Sequence, residues 1–203
     1  MRRALVLALV SLTLPMSAWA NGIDVFNKFG TITISNAGIT SKGSQLNQFN
    51  GINTGHSLGS VSFGTGALLS GSIQAGGTFS SVGSFFKVVG TGQAKGMIFN
   101  GAFVGPITWT LVSQSGPSLI FELSGALSGV LHNGHMTTGT TTQLFKTTTA
   151  QLAKGIVHIT SGETHLTAAP EPGTLALFGL GLLGIAGKVK GGFTASVRRK
   201  VGL

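Results

Sequence analysis

Pro106-Ile107-Thr108-Trp109-Thr110-Leu111-Val112-Ser113-Gln114-Ser115-Gly116-Pro117-Ser118-Leu119-Ile120-Phe121-Glu122-Leu123-Ser124 reads as two strands and the turn between them. From Pro106 to Val112 polar and apolar residues alternate, which puts Ile107, Trp109 and Leu111 on one face of an extended segment. The alternation returns from Ser118 to Ser124, with Leu119, Phe121 and Leu123 on one face and Ile120 and Glu122 on the other. Ser113 to Pro117 carries the turn chemistry of a hairpin.

The same pattern runs outward in both directions. Thr31-Ile32-Thr33-Ile34-Ser35 alternates in the same way, and strands are expected over 57–63, 67–73, 83–89, 96–103, 126–132, 136–145 and 155–166. Residues 21–169 hold no capped amphipathic run, and glycine recurs every few positions, so helix is not expected. Consecutive strands with short links imply an all-β domain. The expected architecture is a single antiparallel β-sandwich or a barrel-like meander.

Asn133-Gly134 is the strongest turn signal, because both residue types tolerate the positive φ of a two-residue type I′ hairpin. That register would set His132 opposite His135 and Leu131 opposite Met136. Facing Cβ atoms lie about 5 Å apart, so the two imidazoles could share a metal ion. A metal site wants a third ligand, and sequence does not place His158, His165 or Glu163 beside them. The two histidines therefore read as structural, and neither metal nor cofactor is expected. Thr137 to Thr142, with Thr147 to Thr149 beyond, has high β-propensity and little charge. Uncovered, such an edge would self-associate. The expectation here is an ordinary exposed strand, with Lys146 and Lys154 as the nearby charges.

The chain has 203 residues, a formal net charge of +9 and no cysteine. Seven of its 13 basic residues lie in the terminal segments. Residues 21–169 keep six lysines (28, 42, 87, 95, 146 and 154) against Asp24, Glu122 and Glu163, a net +3 with no clustered basic face. Nucleic-acid binding is not expected from such a distribution. Three carboxylates also leave little material for a glycosidase pair or a Ser-His-acid triad, and no G-x-S-x-G elbow occurs, so no catalytic residue is assigned. Carbohydrate binding would need an exposed aromatic platform. The body has no tyrosine, and its one tryptophan, Trp109, alternates in phase with core residues.

The two ends read as targeting segments. Arg2-Arg3, the apolar run Ala4 to Leu14 and Ala18-Trp19-Ala20 form a signal peptide over 1–20, with signal peptidase expected to cut after Ala20. At the other end Pro170-Glu171-Pro172 precedes an apolar run, 174–187, and the basic residues Lys188, Lys190, Arg198, Arg199 and Lys200. At about 1.5 Å per residue the run reaches about 21 Å, a short transmembrane helix whose lysines snorkel outward. Gly179, Gly181 and Gly184 match a dinucleotide fingerprint by spacing, but they sit inside this apolar run and not at a strand-to-helix turn.

The order of triplet, apolar segment and basic end in 170–203 resembles the bacterial PEP-CTERM sorting signal. That resemblance implies an exosortase-like membrane protease as partner and a transient stay in the inner membrane of a diderm bacterium. It also implies release to the cell surface or to an extracellular biofilm matrix, where exopolysaccharide or self-association would be the expected partners. The expected organisation is thus a signal segment (1–20), an exported β-domain (21–169) and a sorting segment (170–203). The expected role is a non-enzymatic surface or matrix protein, with a carbohydrate-binding module as the alternative.

Overall fold

A computed structural model describes residues 22–92 and 95–168. Eight staves run up and down. The first is β1 (Gly22–Lys28) continued by β2 (Thr31–Ser35), and the second is β3 (Gly38–Lys42) continued by β4 (Ser44–Phe49). A short β5 (Ile52–Asn53) folds back on β4. β6 (Gly59–Gly64) and β7 (Leu68–Ser72) make the third stave, β8 (Gly76–Phe79) and β9 (Phe85–Gly90) the fourth. The last four are unbroken: β10 (Gly96–Ser115), β11 (Ser118–Leu131), β12 (Met136–Thr148) and β13 (Ile156–Ala168). One turn of helix, α1 (Thr149–Ala153), precedes β13 and is capped by the Thr148 side chain accepting from the Gln151 N–H.

Every pairing is antiparallel, and β13 returns to pair with both β1 and β2. Of the two expected architectures, the chain therefore adopts the barrel. Closure matters physically because it leaves none of these eight staves with an open edge. The staves of the first half break where the wall bends. Phe29 (φ 61°) and Gly30 (φ 100°) separate β1 from β2, and both halves still ladder onto β13. Residues 96–103 and 106–112, expected as two strands, form the single β10. A register shift between Val104 and Thr108 lets Pro106, which cannot donate to a ladder, sit inside it. β11 likewise unites two expected strands.

The inside is packed. Trp109, Phe63, Phe79, Phe86, Phe99, Phe121 and Phe145 are all fully buried. Trp109 stacks on Phe121 (centroids 4.5 Å apart, planes at 7°), and its indole N–H donates to the Ile73 carbonyl at 2.9 Å. Each such ring contributes roughly 1.5–3 kcal/mol on burial, so the interior is a core and not a channel. The outer positions of β12 and β13 carry Thr138, Thr140, Thr142, Lys146, His158, Thr160, Glu163 and His165, all exposed. At these positions of β12 and β13, apolar-in and polar-out is the reverse of the alternation that a lipid-facing wall needs.

The threonine-rich run is not a free edge. β12 pairs on one side with β11 and on the other with β13. Its threonines divide by phase, with Thr137, Thr141 and Thr147 buried and Thr138, Thr140 and Thr142 exposed. Of the inward set, Thr141 joins a polar clasp across the closing seam. Asn27 Nδ2 donates to Gln143 Oε1 (2.9 Å) and Ser44 Oγ (2.7 Å), while Gln143 Nε2 donates to Asn27 Oδ1 (3.2 Å) and Thr141 Oγ1 (2.9 Å). Thr141 and Thr164 hydroxyls meet at 2.8 Å. The clasp has room because residue 162 is glycine: a Cβ there would collide with Gln143 Oε1 and Asn27 Oδ1.

Candidate functional site

The hairpin expected to present His132 and His135 is built differently. Val130 pairs with Met136, so Leu131 faces His135 and His132 falls within the turn. The Gly134 N–H donates to the Leu131 carbonyl (2.9 Å), and only Gly134 of the turn has positive φ (82°). This is a type I turn with a glycine bulge, one residue longer than type I′. Asn133 stays out of the left-handed region because its Oδ1 accepts the His135 N–H (3.1 Å). The two imidazoles are therefore not facing cross-strand partners. Among the described residues, no group of three or more His, Cys, Asp or Glu is arranged to hold a metal.

The charged cluster that does form lies on the outer wall where the barrel closes. Glu163 and His165 are two apart on β13 and share its outer face, and the register sets Asp24 of β1 directly opposite His165. His165 Nδ1 lies 2.7 Å from Asp24 Oδ1, and its Nε2 lies 3.0 Å from Glu163 Oε1. Only an imidazolium donates from both nitrogens, and the hydrogen bond to Asp24 accordingly raises the His165 pKa above 6.5; desolvation opposes this, and the charges of Glu163 and Asp24 add to the rise. All three side chains are about half exposed (55%, 52% and 49%), so the cluster is a solvated pin across the β1–β13 seam. The spacing of Glu163 and His165 was readable in the sequence. Asp24 was not, because its place depends on which strand closes the barrel.

One concave feature among the described residues is the barrel mouth at the end carrying the β11–β12 turn. A hollow of about 360 Å³ opens there between Ile23 of β1, Phe49 of β4, Met97 and Ile98 of β10, and Leu131 of β11. Asn50, Lys95, His132 and Asn133 form its polar rim. It adjoins a wider hollow of about 640 Å³ that shares Ile23, Asn50, Leu131 and Asn133 and reaches Asp24 and His135. Asn50, at φ 47°, is tied to β1 by accepting from the Asp24 N–H (3.0 Å) and donating its own N–H to the Asp24 carbonyl (2.9 Å). His132 and His135, expected as a pair, thus line the two adjoining hollows instead.

Gly22 pairs with Thr167, so β1 begins and β13 ends at this same mouth. Residues 168–190 match the PEP-CTERM protein-sorting motif. The chain carries an exosortase sorting signal. The motif takes up at the last residue of β13 and covers Pro170, Glu171, Pro172, Lys188 and Lys190. No curated protein matches the chain, and no solved structure does. The motif marks a protein exported and processed by a membrane-associated exosortase. Pro170–Pro172, the expected membrane helix 174–187, the basic residues Lys188, Lys190, Arg198, Arg199 and Lys200, and the signal-cleavage residues Ala18 and Ala20 lie outside the described residues. Among the described residues no helix is long and apolar enough to cross a membrane.

Proposed function

We propose that the barrel is a non-enzymatic cell-surface or extracellular-matrix protein, which an exosortase-type protease separates from its C-terminal tail outside the inner membrane. The observation that carries this reading is where the sorting motif starts. The β12–β13 ladder runs to its final pair, Thr137↔Ala168, before Pro170 is reached. A cut near Pro170-Glu171-Pro172 would therefore remove no residue of any stave. Closure of the barrel also suits a protein released into an environment where open strand edges would aggregate.

The alternative, a carbohydrate-binding module, loses the platform that Trp109 would have supplied. Trp109 is 1% exposed and sandwiched in the core, so it offers no face to a sugar ring. Self-association through β12 is likewise disfavoured, because both its edges are paired. The test is Glu171→Ala in the native host, followed by fractionation into membrane, surface wash and medium. The expected outcome is accumulation of uncut chain in the inner membrane with loss from the surface. Unchanged release of a shortened chain would remove the exosortase step from this reading.

A further inference from the structure

We infer that the barrel mouth is a binding site for a small amphipathic carboxylate, an acyl chain with an anionic head. The hollow of about 360 Å³ falls within the range of small-molecule sites, and barrel mouths are among the places where such sites form. Its floor is apolar and is made by the ends of four different staves: Ile23, Phe49, Ile98 and Leu131. Ile98 and Leu131 are core residues, 7% and 8% exposed, and this hollow is where that residual surface meets solvent. Below them the interior is filled by Phe99 and the aromatic cluster, so a ligand would lie across the mouth and not descend the axis.

The rim sets the head group. Lys95 and His132 stand on its polar side, Lys95 in the loop just before β10 and His132 in the β11–β12 turn. Lys95 brings an ammonium group and His132 an imidazole N–H, both donors suited to a carboxylate. Among the described residues lining the two hollows the one carboxylate is that of Asp24, which lines only the adjoining hollow and is held by His165 at 2.7 Å. An anion at Lys95 thus meets no carboxylate among the residues that line its own hollow. Met97, exposed beside Lys95, supplies the adaptable side chain that covers an acyl chain. This site rests on the barrel alone and is independent of where the protein is exported.

The test uses the full chain in lipid nanodiscs and a decanoate carrying a diazirine near its methyl end, with the crosslinked residues mapped by mass spectrometry. Labelling is expected on the floor, at Phe49, Met97, Ile98 or Leu131. Excess decanoate should compete it away, and equal decanol should compete at least several-fold less well. Lys95→Glu, a substitution in an exposed loop, should reduce labelling about tenfold, the loss of one charge-assisted hydrogen bond. Lys154→Glu at the opposite end of the barrel should leave it unchanged. Labelling spread over the outer wall would overturn the inference, and so would equal competition by decanol and decanoate on the unmodified chain. The decanol comparison keeps the test valid even where a variant fails to fold.

Discussion

Replacing Gln143 by methionine tests the seam clasp at nearly constant volume. Gln143 is fully buried, and its amide makes three hydrogen bonds, two of which tie β12 to Asn27 of β1. In Gln143→Met the Thr141 hydroxyl keeps its bonds to Thr164 and to the Glu163 carbonyl, and Asn27 keeps Ser44. What is stranded is Asn27 Oδ1 and one proton of its Nδ2. Each buried group left without a partner costs about 1–3 kcal/mol, so the expected loss is about 2–6 kcal/mol. That is a large part of the roughly 5–15 kcal/mol by which a domain is stable. Removing the partner as well, in Asn27→Leu with Gln143→Met, leaves Ser44 still bonded to the Lys28 carbonyl and should recover about 2 kcal/mol. Urea unfolding followed by circular dichroism measures both. A single variant within about 0.5 kcal/mol of the parent would refute the clasp, as would a double variant whose losses simply add.

Three further outcomes are expected. The His165 pKa is raised in the folded state, so its pin is fully present below pH 6.5 and is lost as pH rises through the higher folded value. The stability difference between parent and His165→Gln should thus be larger near about pH 5.5 than near about pH 8, and it should shrink in high salt; a difference that grew with pH would contradict the assignment. Gly134→Ala should cost about 1 kcal/mol through backbone conformation alone, because a Cβ there meets nothing within 4 Å while φ is +82°; an unchanged midpoint would count against the glycine-bulge turn. Added zinc should leave the melting temperature unmoved, since Leu131 and not His132 faces His135, and a rise abolished by His132→Ala would reverse that reading.

The strands that sequence made legible are those with clean alternation. Leu119, Phe121 and Leu123 are all buried, as are Ile107 and Trp109, because a period of two on a half-buried wall leaves a strong signal. β8, Gly76-Gly77-Thr78-Phe79, carries almost no strand signal of its own and is held by its ladders to β7 and β10. β4 was hidden for another reason: Ser44 points inward, where a hydrophobic pattern expects an apolar residue. Its role appears only once Asn27, a strand away, is placed beside it. The type I′ assignment at Asn133-Gly134 failed because Asn133 bonds its own turn and leaves the positive φ to glycine alone. The mouth could not be read at all, since Ile23, Phe49, Ile98 and Leu131 come from four staves whose adjacency is fixed by closure. The sorting motif, by contrast, was legible because it is a linear order of residue types.

Intact mass of the native protein, taken separately from membrane, surface-wash and medium fractions, tests most directly whether this barrel is an exosortase-released surface protein. The expected species outside the membrane lacks residues 1–20 and ends near Glu171, with every stave present. A protein found only in the membrane fraction, still carrying Arg198-Arg199-Lys200, would contradict release and leave the tail as a plain anchor.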